Sequence, residues 1–156
     1  MNGRKRDRAR RRAKKPPRRA GREPIGLRIV GGRFRGSKLE YAGDPRVRPM
    51  KDRLREAVFN LVGPSVREKH AIDLFAGTGA LGIEALSRGA ETCLFIEQSR
   101  DVAGMLKKNL TLLGADGAEV VLADAYERVK MPWDETFDIV FLDPPFADAR
   151  LAELCR

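Results

Sequence analysis

Two glycines separate an apolar run from a helical pattern in the middle of this chain. Ala71 to Phe75 reads as a strand, Ala76-Gly77-Thr78-Gly79 as a tight loop, and Ala80 to about Arg88 as a helix that Gly89 caps. Few folds accept a strand that becomes a helix within four residues. Glycine permits the turn, and the helix must then return the chain to a second strand parallel to the first. Thr92 to Glu97 is that strand. Ser99 suits the N-cap of a helix running to Leu113, closed by Gly114. Glu119 to Leu122 and Phe137 to Leu142 read as strands three and four, and another helix begins before Arg156. The expected fold is α/β, a Rossmann-like, doubly wound parallel sheet.

Charge divides the chain more sharply than length does. Residues 1–22 hold twelve Lys/Arg and one acid, Asp7, whereas residues 56–156 carry ten basic and seventeen acidic side chains. The net +9 therefore belongs to the first third, and a basic arm ahead of an acidic fold points to a polyanion, with nucleic acid favoured. Residues 1–24 have too few large apolar side chains to bury surface and are expected to be a disordered basic tail. Residues 25–64 form an N-terminal hairpin-and-helix unit, and residues 65–156 the core. No signal-peptide h-region and no membrane-length apolar run is present, so a cytoplasmic monomer is expected. Cys93 and Cys155 lack ligand-like spacing and no metal site is read; Cys93 falls in an apolar strand as a small hydrophobe. His70 stands alone before a strand and reads as structural.

Within the N-terminal unit, Leu27-Arg28-Ile29-Val30 and Lys38-Leu39-Glu40-Tyr41 alternate around Gly31-Gly32 and Gly36, predicting a β-hairpin with a basic, aromatic tip at Arg33-Phe34-Arg35. Pro45 and Pro49 mark an extended linker. A helix from about Asp52 to Val62 follows, stopped by Gly63-Pro64. Arg28, Arg33, Arg35, Lys38, Arg48, Lys51, Arg53 and Arg55 are the candidate phosphate contacts; pairing of some of these arginines with core acids is the alternative.

Ligands in such sheets gather at the carboxyl ends of the strands. There the chain places Asp73, Phe75, Ala76, Gly77, Thr78 and Gly79. Gly77-x-Gly79-x-x-Gly82 matches a dinucleotide fingerprint, with Glu97 about twenty residues on to grip ribose hydroxyls. No Tyr-x-x-x-Lys or similar dehydrogenase pair accompanies it. Asp124, with Ala125 beside it, can accept from an adenine amine after strand three, and Asp143 follows strand four. Acids after successive strands suit a cationic adenosine cofactor and favour S-adenosylmethionine over NAD. Asp143-Pro144-Pro145-Phe146 is a stiff loop lined with acceptors, since proline fixes φ and lacks an N–H. It suits the grip of a planar exocyclic amine while the Phe146 ring stacks on a base.

Together these residues resemble the bacterial RsmD-type 16S ribosomal RNA guanine-N2 methyltransferases, within the class I methyltransferases. The specific part is Arg28-Ile29-Val30-Gly31-Gly32 with Arg35-Gly36, then Arg48-Pro49 with Asp52-Arg53-Leu54-Arg55-Glu56-Ala57-Val58-Phe59-Asn60. The glycine loop is shared by the wider superfamily. Met50 stands where the family has Thr, and the family continues with a fifth strand and closing hairpin, so the C-terminal part of the sheet is expected to be missing. The resemblance implies S-adenosyl-L-methionine as cofactor and ribosomal RNA or the small ribosomal subunit as partner. It implies that Asp143 and the Pro144 carbonyl accept from the guanine N2 amine, with Pro145 and Phe146 completing the site. A DNA amino-methyltransferase uses the same loop, but no target-recognition domain is visible. A non-catalytic ribosomal RNA-binding protein is the rival from another class.

Overall fold

A computed structural model describes residues 27–41, 49–145 and 150–154 of the chain. The basic tail, Arg48, Phe146 and Cys155 lie outside the described residues. Helix α1 (Asp52–Val62) ends where Gly63 adopts a positive φ of 60°, and a 3-10 turn follows at Gly63–Val66. Strand β1 (His70–Asp73) leads through the glycine loop into α2 (Ala80–Ser87), and β2 (Thr92–Glu97) leads into α3 (Arg100–Leu113). Ser99 caps α3 by accepting from Val102 N, and Gly114 closes it in the left-handed region. Strand β3 (Ala118–Leu122), the short α4 (Ala125–Arg128), β4 (Ile139–Phe141) and α5 (Leu151–Leu154) complete the described chain.

All strand pairs are parallel, and the sheet order is β3-β2-β1-β4. The step from β3 across to β4 makes β1 the point where the strand order reverses, which in open α/β sheets opens a crevice for ligands. Registration brings Asp73 level with Phe95 on one side and Phe141 on the other, and Glu97 level with Leu122. Alternation sorts the side chains between two layers. Ala71, Cys93 and Phe95 join Ile83, Leu86, Leu106 and Leu110 in the larger core. Ile72, Leu94 and Ile96 pack with Leu74 and Ala125 on the opposite face.

The expected hairpin is present as a narrower structure. Arg28 and Lys38 form one antiparallel bridge, supported by Ile29 N donating to Ser37 O at 3.0 Å and Leu39 N to Leu27 O at 2.8 Å. Its tip docks on the end of α2. Arg33 N donates to Ser87 O at 2.7 Å and Phe34 N to Ser87 Oγ at 2.9 Å, so the hairpin supplies a donor to the last carbonyl of α2. A Cβ on Gly32 would sit 1.9 Å from the Ser87 carbonyl, which holds this position to glycine.

Strand four, expected over 137–142, pairs only at 139–141. Phe137 turns aside to meet Trp133 edge-on at 5.3 Å between centroids, and Asp138 N, donating to His70 O at 2.8 Å, makes the first contact with β1. His70 sits at the far end of β1 from Asp73, its Nδ1 2.8 Å from Thr92 Oγ1.

Candidate functional site

At the carboxyl end of β1 the chain folds tightly beneath its neighbours. Leu74 N donates to Phe141 O at 3.1 Å, Ala76 N to Ile96 O at 3.0 Å, and Gly79 N to Ala76 O at 2.7 Å. Gly79 has φ 77°, and a Cβ there would lie 2.2 Å from Leu106 Cδ1. The turn and its packing on α3 both require glycine. Ala76 and Thr78 are buried beside it, and Phe75 is half-buried.

Glu97 closes the loop from the side. Its Oε2 accepts from Gly77 N at 2.8 Å and its Oε1 from Ser99 N at 2.7 Å. Each oxygen keeps lone-pair capacity for a hydroxyl. The carboxylate is thus aimed by two backbone donors and can still accept from a ribose.

Asp73 lies at the floor of the crevice, 1% exposed, and its Oδ1 has no hydrogen-bond partner among the described residues. Burial pushes its pKa up to about 7; the N–H groups of Gly82 and Phe75 pull it down, and the charges of Asp143 and Glu97 push it up again. Three carboxylates from three strand ends therefore share one field. The same burial, with Asp73 nearby, pushes the Cys93 thiol well above its ordinary value, so that thiol is an inert core group.

Asp124 is more committed than its sequence position suggests. Its Oδ1 caps α4, accepting from Tyr126 N at 2.8 Å and Glu127 N at 3.4 Å, while Oδ2 lies 3.7 Å from Arg150 Nη1. Only Oδ2 is left to meet an adenine amine. Ala125 is buried against the sheet. Asp143, Pro144 and Pro145 follow directly on β4 at the same edge as Asp73. Asp143 is exposed, yet the surrounding protein displaces enough water to push its pKa up.

Among the candidate phosphate contacts, Arg28, Arg33, Arg35, Lys38, Lys51 and Arg53 are exposed. Arg28 Nε is paired with Asp52 Oδ2 at 3.0 Å, and the Arg33 guanidinium lies 4.5 Å over the Phe34 ring. Arg55 is a correction. It is 0% exposed, so its guanidinium cannot reach a phosphate. Instead Arg55 Nε approaches Glu84 Oε2 at 3.4 Å, Nη2 donates to Asp52 Oδ1 at 3.0 Å and to the Arg28 carbonyl, and Nη1 donates to Met50 O at 3.2 Å. Lys51, the residue that precedes the helix, and Arg53 within it lie four and two residues before Arg55 and are exposed.

Glu84 and Tyr126 escaped the sequence reading. Glu84, fully buried in an otherwise apolar helix, also accepts from Val30 N at 2.9 Å and Arg88 Nε at 2.8 Å, which fastens the N-terminal unit to α2. The one available signal was an acid at a core-facing position. Tyr126 meets Phe75 edge-on at 5.5 Å, joining α4 to the glycine loop. Among the described residues no group of three or more His, Cys, Asp or Glu side chains is placed to hold a metal, and no helix is long and apolar enough to cross a membrane.

A parallel 3-2-1-4 sheet, a glycine loop after β1, a backbone-held acid after β2 and Asp-Pro-Pro after β4 define a class I methyltransferase. The chain belongs to the RsmD-type methyltransferases: the profile described as "Conserved hypothetical protein 95" matches residues 27–156. It is 40% identical over 137 residues to Ribosomal RNA small subunit methyltransferase D of Haemophilus influenzae, covering 83% of this chain and 71% of that one. Against the protein of the same name from Escherichia coli it is 43% identical over 127 residues, covering 81% and 64%. The solved structure of the putative methyltransferase yhhF from Escherichia coli superposes with a TM-score of 0.72 at 42% identity, covering 81% of this chain and 68% of that one. The chain thus spans roughly two thirds of the length of these relatives.

Proposed function

We propose that this chain is an S-adenosylmethionine-dependent methyltransferase acting on the exocyclic N2 amine of a guanine in small-subunit ribosomal RNA. The observation that carries the reading is the meeting of Asp73 and Asp143 at one sheet edge. Asp73 lies level with Phe141, two residues before Asp143, and the charge of Asp143 helps to push the Asp73 pKa up. The cofactor floor and the acceptor loop are therefore adjacent, as transfer between two bound groups demands.

The residues fit the cofactor. Asp73, buried with an oxygen lacking a partner, suits a cationic group. Glu97 suits the ribose, and Asp124 Oδ2 with Ala125 suits the adenine. When bound, the cofactor supplies an electrophilic methyl group on a sulfonium. Ala76 to Gly79 form the floor on which it rests.

On the acceptor side, Asp143 and the Pro144 carbonyl accept from the two N–H bonds of an amine whose lone pair is otherwise conjugated with the ring. That draws the nitrogen toward tetrahedral geometry and aims its lone pair. Pro145 keeps the loop stiff, and Phe146 stacks on a base swung out of its helix, an interaction worth roughly 1–3 kcal/mol. Arg28, Arg33, Arg35, Lys38, Arg48, Lys51 and Arg53 supply phosphate contacts, and the basic tail adds salt-sensitive affinity.

The test is transfer of labelled methyl groups by the 156-residue chain to small ribosomal subunits lacking the modification, to free ribosomal RNA and to duplex DNA. Label on guanine N2 of the subunit or its RNA is expected. Label in DNA alone would overturn the RNA assignment, and no label anywhere would leave a binding protein.

A further inference from the structure

We propose that Arg150 is a positioning residue of the adenosine pocket, holding Asp124 and Tyr126 in the arrangement that receives the base. This rests on the reading of Asp124 as the adenine-side acid. Arg150 lies on the chain just past the Asp143–Pro145 loop and just before α5, yet its side chain reaches back across the sheet edge to α4. Its Nη1 is 3.7 Å from Asp124 Oδ2, and its guanidinium carbon stands 4.0 Å over the centre of the Tyr126 ring.

One contact falls on the acid assigned to the adenine, the other on the buried ring that joins α4 to the glycine loop. Asp124 Oδ1 is already engaged by Tyr126 N and Glu127 N, so Oδ2 alone remains, and Arg150 lies against it. A carboxylate oxygen has room for a second donor. Arg150 therefore restricts the rotation of Asp124 without using up the oxygen that an adenine amine needs. On its other side the guanidinium stands over Tyr126, whose ring meets Phe75 of the glycine loop edge-on at 5.5 Å. Arg150, Tyr126 and Phe75 thus form one chain of contacts from the residue before α5 to the glycine loop. Arginine suits this double duty because its delocalised charge can lie over a ring while it faces a carboxylate; lysine offers only a compact charge.

The ion pair is long and half-exposed, at 47% and 32% for the two side chains, so the effect should be moderate. Calorimetric titration of the full chain with S-adenosylhomocysteine tests it. Arg150→Ala should weaken binding by about 3- to 10-fold, in line with one exposed ion pair plus one cation–π contact. Arg150→Lys should recover part of that loss. In an Asp124→Ala background, Arg150→Ala should cost clearly less than it does in the native chain, because the two act as a pair. Binding unchanged in Arg150→Ala, or an equal cost with and without Asp124, would overturn the inference while leaving the cofactor reading intact. Failure of the native chain to bind S-adenosylhomocysteine would overturn that reading itself, and this inference with it.

Discussion

The proposed cofactor half of the site and the proposed acceptor half stand on strands of very different quality. Strand β2 is paired on both sides and buried over Cys93, Leu94, Phe95 and Ile96. Strand β4 has three residues and pairs only with β1 among the described residues, and Val140 is 51% exposed. Leu142, just past it, is exposed as well. What holds β4 is lateral: Phe59 of α1 meets Phe141 at 5.8 Å, and Asp138 accepts from His70 N at 2.9 Å and Lys69 Nζ at 3.3 Å. On the proposed function, nucleoside binding would rest on a deep core, whereas placement of the acceptor would depend on how α1 is held. Helix α1 is held by Arg55 and Glu84.

Breaking that clamp should therefore give the largest effect. Glu84→Ala leaves the buried Arg55 with the part-exposed Asp52 as its remaining carboxylate and removes the acceptor of Val30 N and Arg88 Nε; a loss of about 3–5 kcal/mol in urea unfolding is expected. A loss below about 1 kcal/mol would show that the N-terminal unit is held by packing alone.

Asp73 gives the next effect. Its folded pKa, about 7, lies above the value of 3.8 taken for the free side chain, so the folded chain holds that proton more tightly. The resulting stability is complete below about pH 4 and is lost as pH rises through 7, a change of about 4 kcal/mol. Asp73→Asn should flatten the fall in melting temperature between pH 5 and pH 8; an unaltered fall would assign it to another group. Asp138, whose pKa is lowered by the backbone N–H of His70 and by Lys69, works in the opposite direction and below this window.

Asp143→Ala bears chiefly on the proposed acceptor half. It should slow methyl transfer by about 10²–10³-fold, as loss of one preorganised polar contact does, while affinity for S-adenosylhomocysteine stays nearly unchanged. A comparable loss of cofactor affinity would move Asp143 to the other half of the site. The smallest effect is expected at Val140. Val140→Thr should shift stability by no more than about 0.5 kcal/mol, because half of that side chain already faces water. A larger cost would mean that the β4 face is covered in solution.

The legible parts were those governed by neighbours in sequence. Helix α1 runs over Asp52–Val62 as its apolar spacing predicts, β2 occupies Thr92–Glu97, and α3 sits between the cap at Ser99 and Gly114. The glycine loop and its acid could be read for the same reason, since the turn, the helix start and the strand end are local events. Less legible was the short α4, where Asp124 serves two backbone donors that any strand-end acid could equally have left alone.

Sequence by itself determined the alternation of strands and helices, the tight turn at Gly77 and Gly79, and the segregation of charge between the first third and the core. Tertiary structure decided which charges were spent. Arg53 and Arg55 are two residues apart on one helix, yet one faces solvent and the other is buried against Glu84, 29 positions away. Arg150 and Asp124 meet across the sheet edge in the same way. Periodicity and capping act over a few residues, whereas an ion pair is chosen by whichever side chains the packed elements bring within reach.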